Sequence, residues 1–296
     1  MPEPVRPVTG QAAVDQLVAV LDLEPIEVDI FRGRSPEESL QRVFGGQVAG
    51  QALVAAGRTV PAERQVHSLH SYFLRPGDPA VPIIYLVDRI RDGRSFTTRR
   101  VVAVQHGKAI FNLSASFALR EDGLTHHLPM PEVPPPDQLP TLAERAAPFG
   151  DRLGPVTRLP RPIDLRYVDD PPWVSRAGGP REPRQQVWLR ADGVLPDDPL
   201  VHVCALTFAS DMTLLDSVLA AHGLAWHLDD VVGASLDHAM WFHRPFRADE
   251  WLLYDAESPS ASGGRGLASG RIFTADGVHV VSVVQEGLIR VRRDPG

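Results

Sequence analysis

The sequence predicts an α+β protein of two like halves, each a curved antiparallel sheet wrapped around one long central helix. Three observations carry that prediction. First, residues 67–76, HSLHSYFLRP, return as 235–245, SLDHAMWFHRP, once Arg75-Pro76 is laid on Arg244-Pro245. Tyr72-Phe73 then falls on Trp241-Phe242, and Val66 falls on Ser235. The separation stays near the 169 residues between Arg75 and Arg244 as far as the turns His106-Gly107-Lys108 and Asp276-Gly277-Val278. One half is written twice. Second, both halves run in the same order, with a strand and a helix followed by several strands. Third, ten prolines lie between Pro129 and Pro162, a connector between two units.

Each element has a local reason. Val14, Leu17, Val18 and Leu21 give 11–23 a helical spacing. Residues 26–31 alternate as a strand, which Gly33 and Pro36 end. Val48, Leu53, Val54 and Ala55 predict a helix over 44–60, with Gly57 as its C-cap. Strands are then predicted at 67–74, 81–89, 96–105 and 109–119, with turns at 75–79, 91–94 and 106–108. Within the connector, 139–145 reads as a short helical turn. The second half repeats the plan. Strands are predicted at 163–168, 187–191 and 201–208, then a helix at 212–221 closing at Gly223. Four later strands follow at 234–242, 251–257, 266–274 and 278–289. The expected units are a scaffold repeat at 11–125, a Pro-rich linker at 126–162 and a second repeat at 163–293.

Composition narrows the function classes. With 43% hydrophobic and 23% charged residues, the chain reads as soluble and globular. Its formal charge of −7 gives no electrostatic case for nucleic acid as a partner. The single cysteine, Cys204, excludes an internal disulfide framework and a four-cysteine zinc site. No run reaches the roughly 18 apolar residues of a membrane span, and the opening MPEPVRPVTG has no apolar signal core. A cytoplasmic enzyme is the expectation. P-loop, H-E-x-x-H and G-x-S-x-G signatures are all missing, and the glycines of 264–270 fit a turn between strands.

FGGQVAGQAL, VHSLHSYFLRPGD, SLDHAMWFHRPF and VVQEGLIR, in that order and spacing, closely resemble the acyl-CoA thioesterase II family, the TesB-type double-hotdog enzymes. The resemblance runs from about Phe31 to Arg290. It implies two tandem hotdog folds with joined sheets, hydrolysis of fatty acyl-CoA to free acid and CoA, no metal or organic cofactor, and assembly of several chains. It also implies an Asp, a Thr or Ser, and a Gln that bind and activate a water. By position these are Asp211 in FASDMTLL, Ser235 in GASLDH and Gln285 in VVQEG.

Thioester hydrolysis asks for those residue types: a carboxylate to accept the proton of a water, and a hydroxyl and an amide to orient it. Asp211 is expected at a helix start, beside free N–H groups and the positive end of the dipole. There, Ser210-Asp211 also reads as an N-cap, a role compatible with that of a base. Ser235 reads equally as a small polar strand residue. Gln285 ends the apolar run 280–284 and must find a partner there. His238 and His243 read as packed strand histidines, and Cys204 as core. The copies differ where the chemistry is sought. Val66 faces Ser235, Ala115 faces Gln285, and Gly45 or Gly46 faces Asp211, so the polar groups belong to the second copy alone. Arg75, Arg94, Arg244 and Arg265 are candidate contacts for CoA phosphates. Two other classes stay open: a hotdog enoyl-CoA hydratase or dehydratase using Asp211 with a histidine, and a non-catalytic acyl-CoA-binding protein.

Overall fold

The computed structural model describes residues 7–36 and 41–292. Most of the proline-spaced N-terminal arm, and residue 293 at the end of the expected second repeat, lie outside them. The first half holds α1 (Gln11–Leu21), β1 (Glu24–Glu27), β2 (Ile30–Gly33), α2 (Gly45–Gly57), β3 (Arg64–Phe73), β4 (Ile83–Asp92), β5 (Phe96–Gln105) and β6 (Lys108–Leu119). A connector carries the short α3 (Leu142–Ala146), started by a Thr141–Glu144 capping box. The second half begins with β7 (Ile163–Tyr167), α4 (Pro172–Ser175), β8 (Arg184–Ala191), α5 (Pro199–Ser210) and α6 (Asp216–His222). It ends with β9 (Val231–Ser235), β10 (Asp237–Phe242), β11 (Leu252–Ser262), β12 (Arg265–Thr274) and β13 (His279–Val291).

All strands join one antiparallel sheet in the order β1-β2-β4-β5-β6-β3-β10-β13-β12-β11-β8-β7, with β9 also on β13. The repeated segments meet at its centre. β3 pairs with β10 from Asp237↔Tyr72 to Trp241↔Ser68. His70 and Ala239, equivalent by the repeat spacing, are register partners there. A local two-fold axis therefore passes between them, and the two curved sheets are continuous across it. Inward-facing side chains of the sheet close over the helices: α2 packs on β4, β5 and β6, and α6 on β8, β11 and β12. The result is a tandem double hotdog.

α2 is made largely of small residues and is buried from Gly46 to Ala56. That composition lets α5 lie against it, antiparallel and at backbone distance. A Cβ added at Gly46 would stand 2.3 Å from the carbonyl oxygen of Phe208, and one at Gly50 3.1 Å from that of Cys204. Gly57 does not serve as the expected left-handed cap, since the capping residue Arg58 is itself helical (φ −66°). Its missing side chain instead admits Leu200, whose Cδ2 would lie 2.6 Å from a Cβ at that position.

Three expectations give way. Residues 201–208 are not a strand but the body of α5. An apolar run buried on all sides has no amphipathic period to betray a helix, though Asp198 caps it through the Leu200 N–H, with Pro199 in the first turn. The strand expected over 26–31 is broken into a hairpin, β1 and β2, because Asp29 takes a left-handed conformation (φ 61°). The strand expected over 234–242 breaks into β9 and β10, and that break shapes the site.

Candidate active site

Ser235 and His238 are three residues apart, so a regular strand would point them to opposite faces. A bulge prevents this. The four steps from Ser235 to Ala239 are matched by three on β13, from Gly287 to Val284. Asp237 Oδ1 accepts the Glu286 N–H at 2.6 Å, replacing a ladder carbonyl, while the Leu236 N–H goes to Glu286 O at 2.9 Å. Both Ser235 and His238 then reach Gln285, which faces inward from β13 and is completely buried. β3 carries a register shift between Val66 and Ser68, the counterparts of Ser235 and Asp237. The bulge is thus shared architecture, and the polar groups are what the second half adds.

The structure brings the three expected residues into mutual contact. Ser235 Oγ donates to Asp211 Oδ1 at 3.0 Å. Gln285 Nε2 donates to the same oxygen at 2.7 Å and to Ser235 Oγ at 2.7 Å. Asp211 is not at a helix start, however. It is the C-cap of α5 (φ −83°, ψ −4°), and α6 begins five residues later. The positive helix end comes from the other half: a Cβ at Gly45, in the first turn of α2, would stand 2.6 Å from Asp211 Oδ2. Gly45 is consequently the neighbour of Asp211 across the antiparallel helix pair rather than its repeat counterpart. Phe44, the N-cap of α2, makes no side-chain capping bond.

One polar residue of the site was missed. His238, read as packing, is 1% exposed and lies between Gln285 Oε1 (3.1 Å from Nδ1) and Ser210 Oγ (2.9 Å from Nε2). The signal was available, because the repeat alignment sets Leu69 against His238. Burial lowers the pKa of this imidazole, opposed by the charge of Asp211 and the bond to Gln285. His243 stands apart, bonded to Ser282 Oγ at 2.9 Å. Three of the arginines considered for phosphates are engaged: Arg75 with Ala109 O, Arg244 with His279 O and the 125–126 segment, and Arg265 with Glu286. Among the described residues there is no cluster suited to holding a metal ion.

An apolar cavity of about 400 Å³ borders the site through Phe44 and Met212, the chain neighbours of Gly45 and Asp211, with Phe208 and Thr213 also lining it. Connector residues Leu142, Leu153 and Leu159 also line it. One acid lines it. Asp216 takes the Trp226 Nε1–H at 3.0 Å and the Tyr167 hydroxyl at 3.4 Å. Burial nonetheless pushes its carboxyl up to about 7. A carboxyl raised in the folded state favours folding below its unfolded pKa, and that contribution is lost as pH climbs through the folded value. Between pH 5 and 8 the wild type should therefore lose on the order of 2 kcal/mol through this group. Asp216→Asn should flatten that part of the profile in urea titrations, and parallel profiles for the two proteins would refute it.

Residues 34–118 match the family model "Acyl-CoA thioesterase N-terminal domain", and 158–288 match "Acyl-CoA thioesterase". A crystal structure of the acyl-CoA thioesterase II TesB2 from Mycobacterium marinum superposes with a TM-score of 0.76 at 48% identity, covering 93% of this chain and 98% of that one. Acyl-coenzyme A thioesterase 8 of Mus musculus is 44% identical over 292 residues, 93% of this chain and 89% of its own. Acyl-CoA thioesterase 2 of Haemophilus influenzae is 38% identical over 284 residues, 94% of this chain and 98% of its own. The chain belongs to the acyl-CoA thioesterase family.

Proposed function

We propose that this protein hydrolyses acyl-CoA thioesters to free acid and CoA, with Asp211 as general base on a water oriented by Ser235 and Gln285. The observation that carries the reading is the mutual hydrogen bonding of these three groups at the border of an apolar cavity. Both N–H bonds of Gln285 are occupied by Asp211 and Ser235, which fixes the two acceptors. A water donating to Asp211 Oδ2 and to the remaining lone pair of Ser235 Oγ keeps its own lone pair for the thioester carbon. Attack gives a tetrahedral oxyanion, for which the N–H groups in the first turn of α2 are donors. Collapse breaks the C–S bond, and the proton held by Asp211 goes to the leaving thiolate.

In this reading the second half, 163–293, carries the reacting groups. The first half, 11–125, supplies more than a frame, since Gly45 stands against Asp211 Oδ2 and the Phe73 ring packs on the same glycine. The acyl chain occupies the apolar cavity, where each buried methylene contributes about 0.8 kcal/mol. Self-association of the chain belongs to the same reading, supported by Tyr72, Leu86, Ile90 and Phe96 exposed on the outer side of the sheet. So does a cytoplasmic setting, with which the fully buried, unpaired Cys204 accords. The test is thiol release across a series from acetyl- to stearoyl-CoA. Steady release that depends on chain length is expected. Consumption of crotonyl-CoA without free thiol, or binding that raises the melting temperature with no turnover on any chain, would overturn the proposal.

A further inference from the structure

The hydrogen bonds around Gln285 can be assigned one by one, and the assignment leads to His238. A carboxylate only accepts, so the amide atom 2.7 Å from Asp211 Oδ1 must be the NH₂ group. The opposite end of the amide is then Oε1, also only an acceptor, and its neighbour at 3.1 Å is His238 Nδ1. That nitrogen must carry a proton. The imidazole is buried, which favours its neutral form; with Nδ1 protonated, Nε2 takes the Ser210 hydroxyl at 2.9 Å in competition with Thr207 O at 3.0 Å. The ring is held by its backbone as well, because Ser71 on β3 donates to the His238 carbonyl at 2.8 Å.

We propose that His238 is a positioning residue for the hydrolytic site: by donating from Nδ1 to Gln285 Oε1, it holds the Gln285 amide with its NH₂ toward Asp211 and Ser235. The inference rests on the hydrolytic reading given above. Its physical content is the choice between two amide orientations. A half-turn of the Gln285 amide would set Oε1 against Asp211 Oδ1, two acceptors at 2.7 Å, and would remove the donor to Ser235 Oγ. Without a fixed donor on the far side, nothing local favours the productive orientation except the site it is meant to organise. The two halves bear on the point. The positions of His238 and Gln285 are occupied in the first half by Leu69 and Ala115, both buried and apolar. The pair is present together in one copy and missing together from the other.

The test contrasts His238→Asn with His238→Gln, each assayed for thiol release beside wild type. Asn places its amide near the position of Nδ1 and retains a donor to Gln285. Gln reaches toward the position of Nε2 and Ser210 instead. Asn should keep kcat within about 5-fold of wild type, whereas Gln should lose roughly 10- to 100-fold in kcat at a KM changed by less than about 2-fold. His238→Leu, which reproduces the first half, should behave like Gln. The double variant His238→Leu/Gln285→Ala should be no slower than Gln285→Ala alone, because a residue that acts through Gln285 has nothing left to act on. Losses that multiply in the double variant, equal rates for Asn and Gln, or a His238→Leu enzyme with wild-type kcat would each overturn the proposal. If His238→Leu fails to fold, the Asn and Gln pair, both polar and both melted as controls, still decides. Failure here is distinct from failure of the hydrolytic reading: an inactive Asp211→Asn with fully active His238 variants removes only the role of His238.

Discussion

Asp211→Asn is expected to slow thiol release roughly 10²- to 10⁴-fold, the range typical of a lost general base. Asn is isosteric, and its carbonyl oxygen can still accept from Ser235 and Gln285 as Asp211 Oδ1 does. The neighbouring side chains therefore stay in place while proton-accepting power disappears. The loss should fall on kcat with KM nearly unchanged, since substrate contacts in the cavity are untouched. The measurement is steady-state thiol release with a matched thermal melt. A well-folded variant turning over at close to the wild-type rate would end the case for Asp211 as base.

The second large effect is structural. Gly46→Ala puts a methyl where the Phe208 carbonyl oxygen stands 2.3 Å away, and a backbone atom cannot swing aside as a side chain can. The helices α2 and α5 must separate, at a cost of roughly 1–3 kcal/mol or more for overpacking. Asp211 follows directly on α5, so the same displacement moves its carboxylate relative to α2 and should lower kcat in the fraction that folds. Gly57→Ala is the control. Its methyl would meet only the flexible end of Leu200, and it should cost clearly less in a urea titration. Equal destabilisation by the two substitutions would contradict this account of the helix pair.

Most strands were legible because their alternation and turns are local: the turn at His106-Gly107, with both residues left-handed, sits where the sequence puts it. α5 was not, since burial on every side erases helical periodicity. The site divides the same way. Asp211, Ser235 and Gln285 were found through family resemblance and through differences between the copies, and they do touch. The helix end facing Asp211 was assigned to the wrong half, because an antiparallel contact between α2 and α5 leaves no mark on either segment alone. The bulge was equally hidden, resting on the Asp237 carboxylate standing in for a backbone carbonyl. His238 stands opposite Leu69 in the repeat, but a lone strand histidine carries no sign of what it will meet.

The pairing of β3 with β10 has a consequence for how the molecule is made. Tyr72 and its register partner Asp237 are separated by most of the chain. A ribosome adding roughly 5–20 residues per second needs on the order of ten seconds or more to deliver β10 after β3. For that interval β3 has β6 on one side and an open row of backbone donors and acceptors on the other. A nascent first half is thus a sheet with a sticky margin, and the strand that seals it is the one that carries His238. The strand that closes the seam is thus also the one that sets His238 beside Gln285.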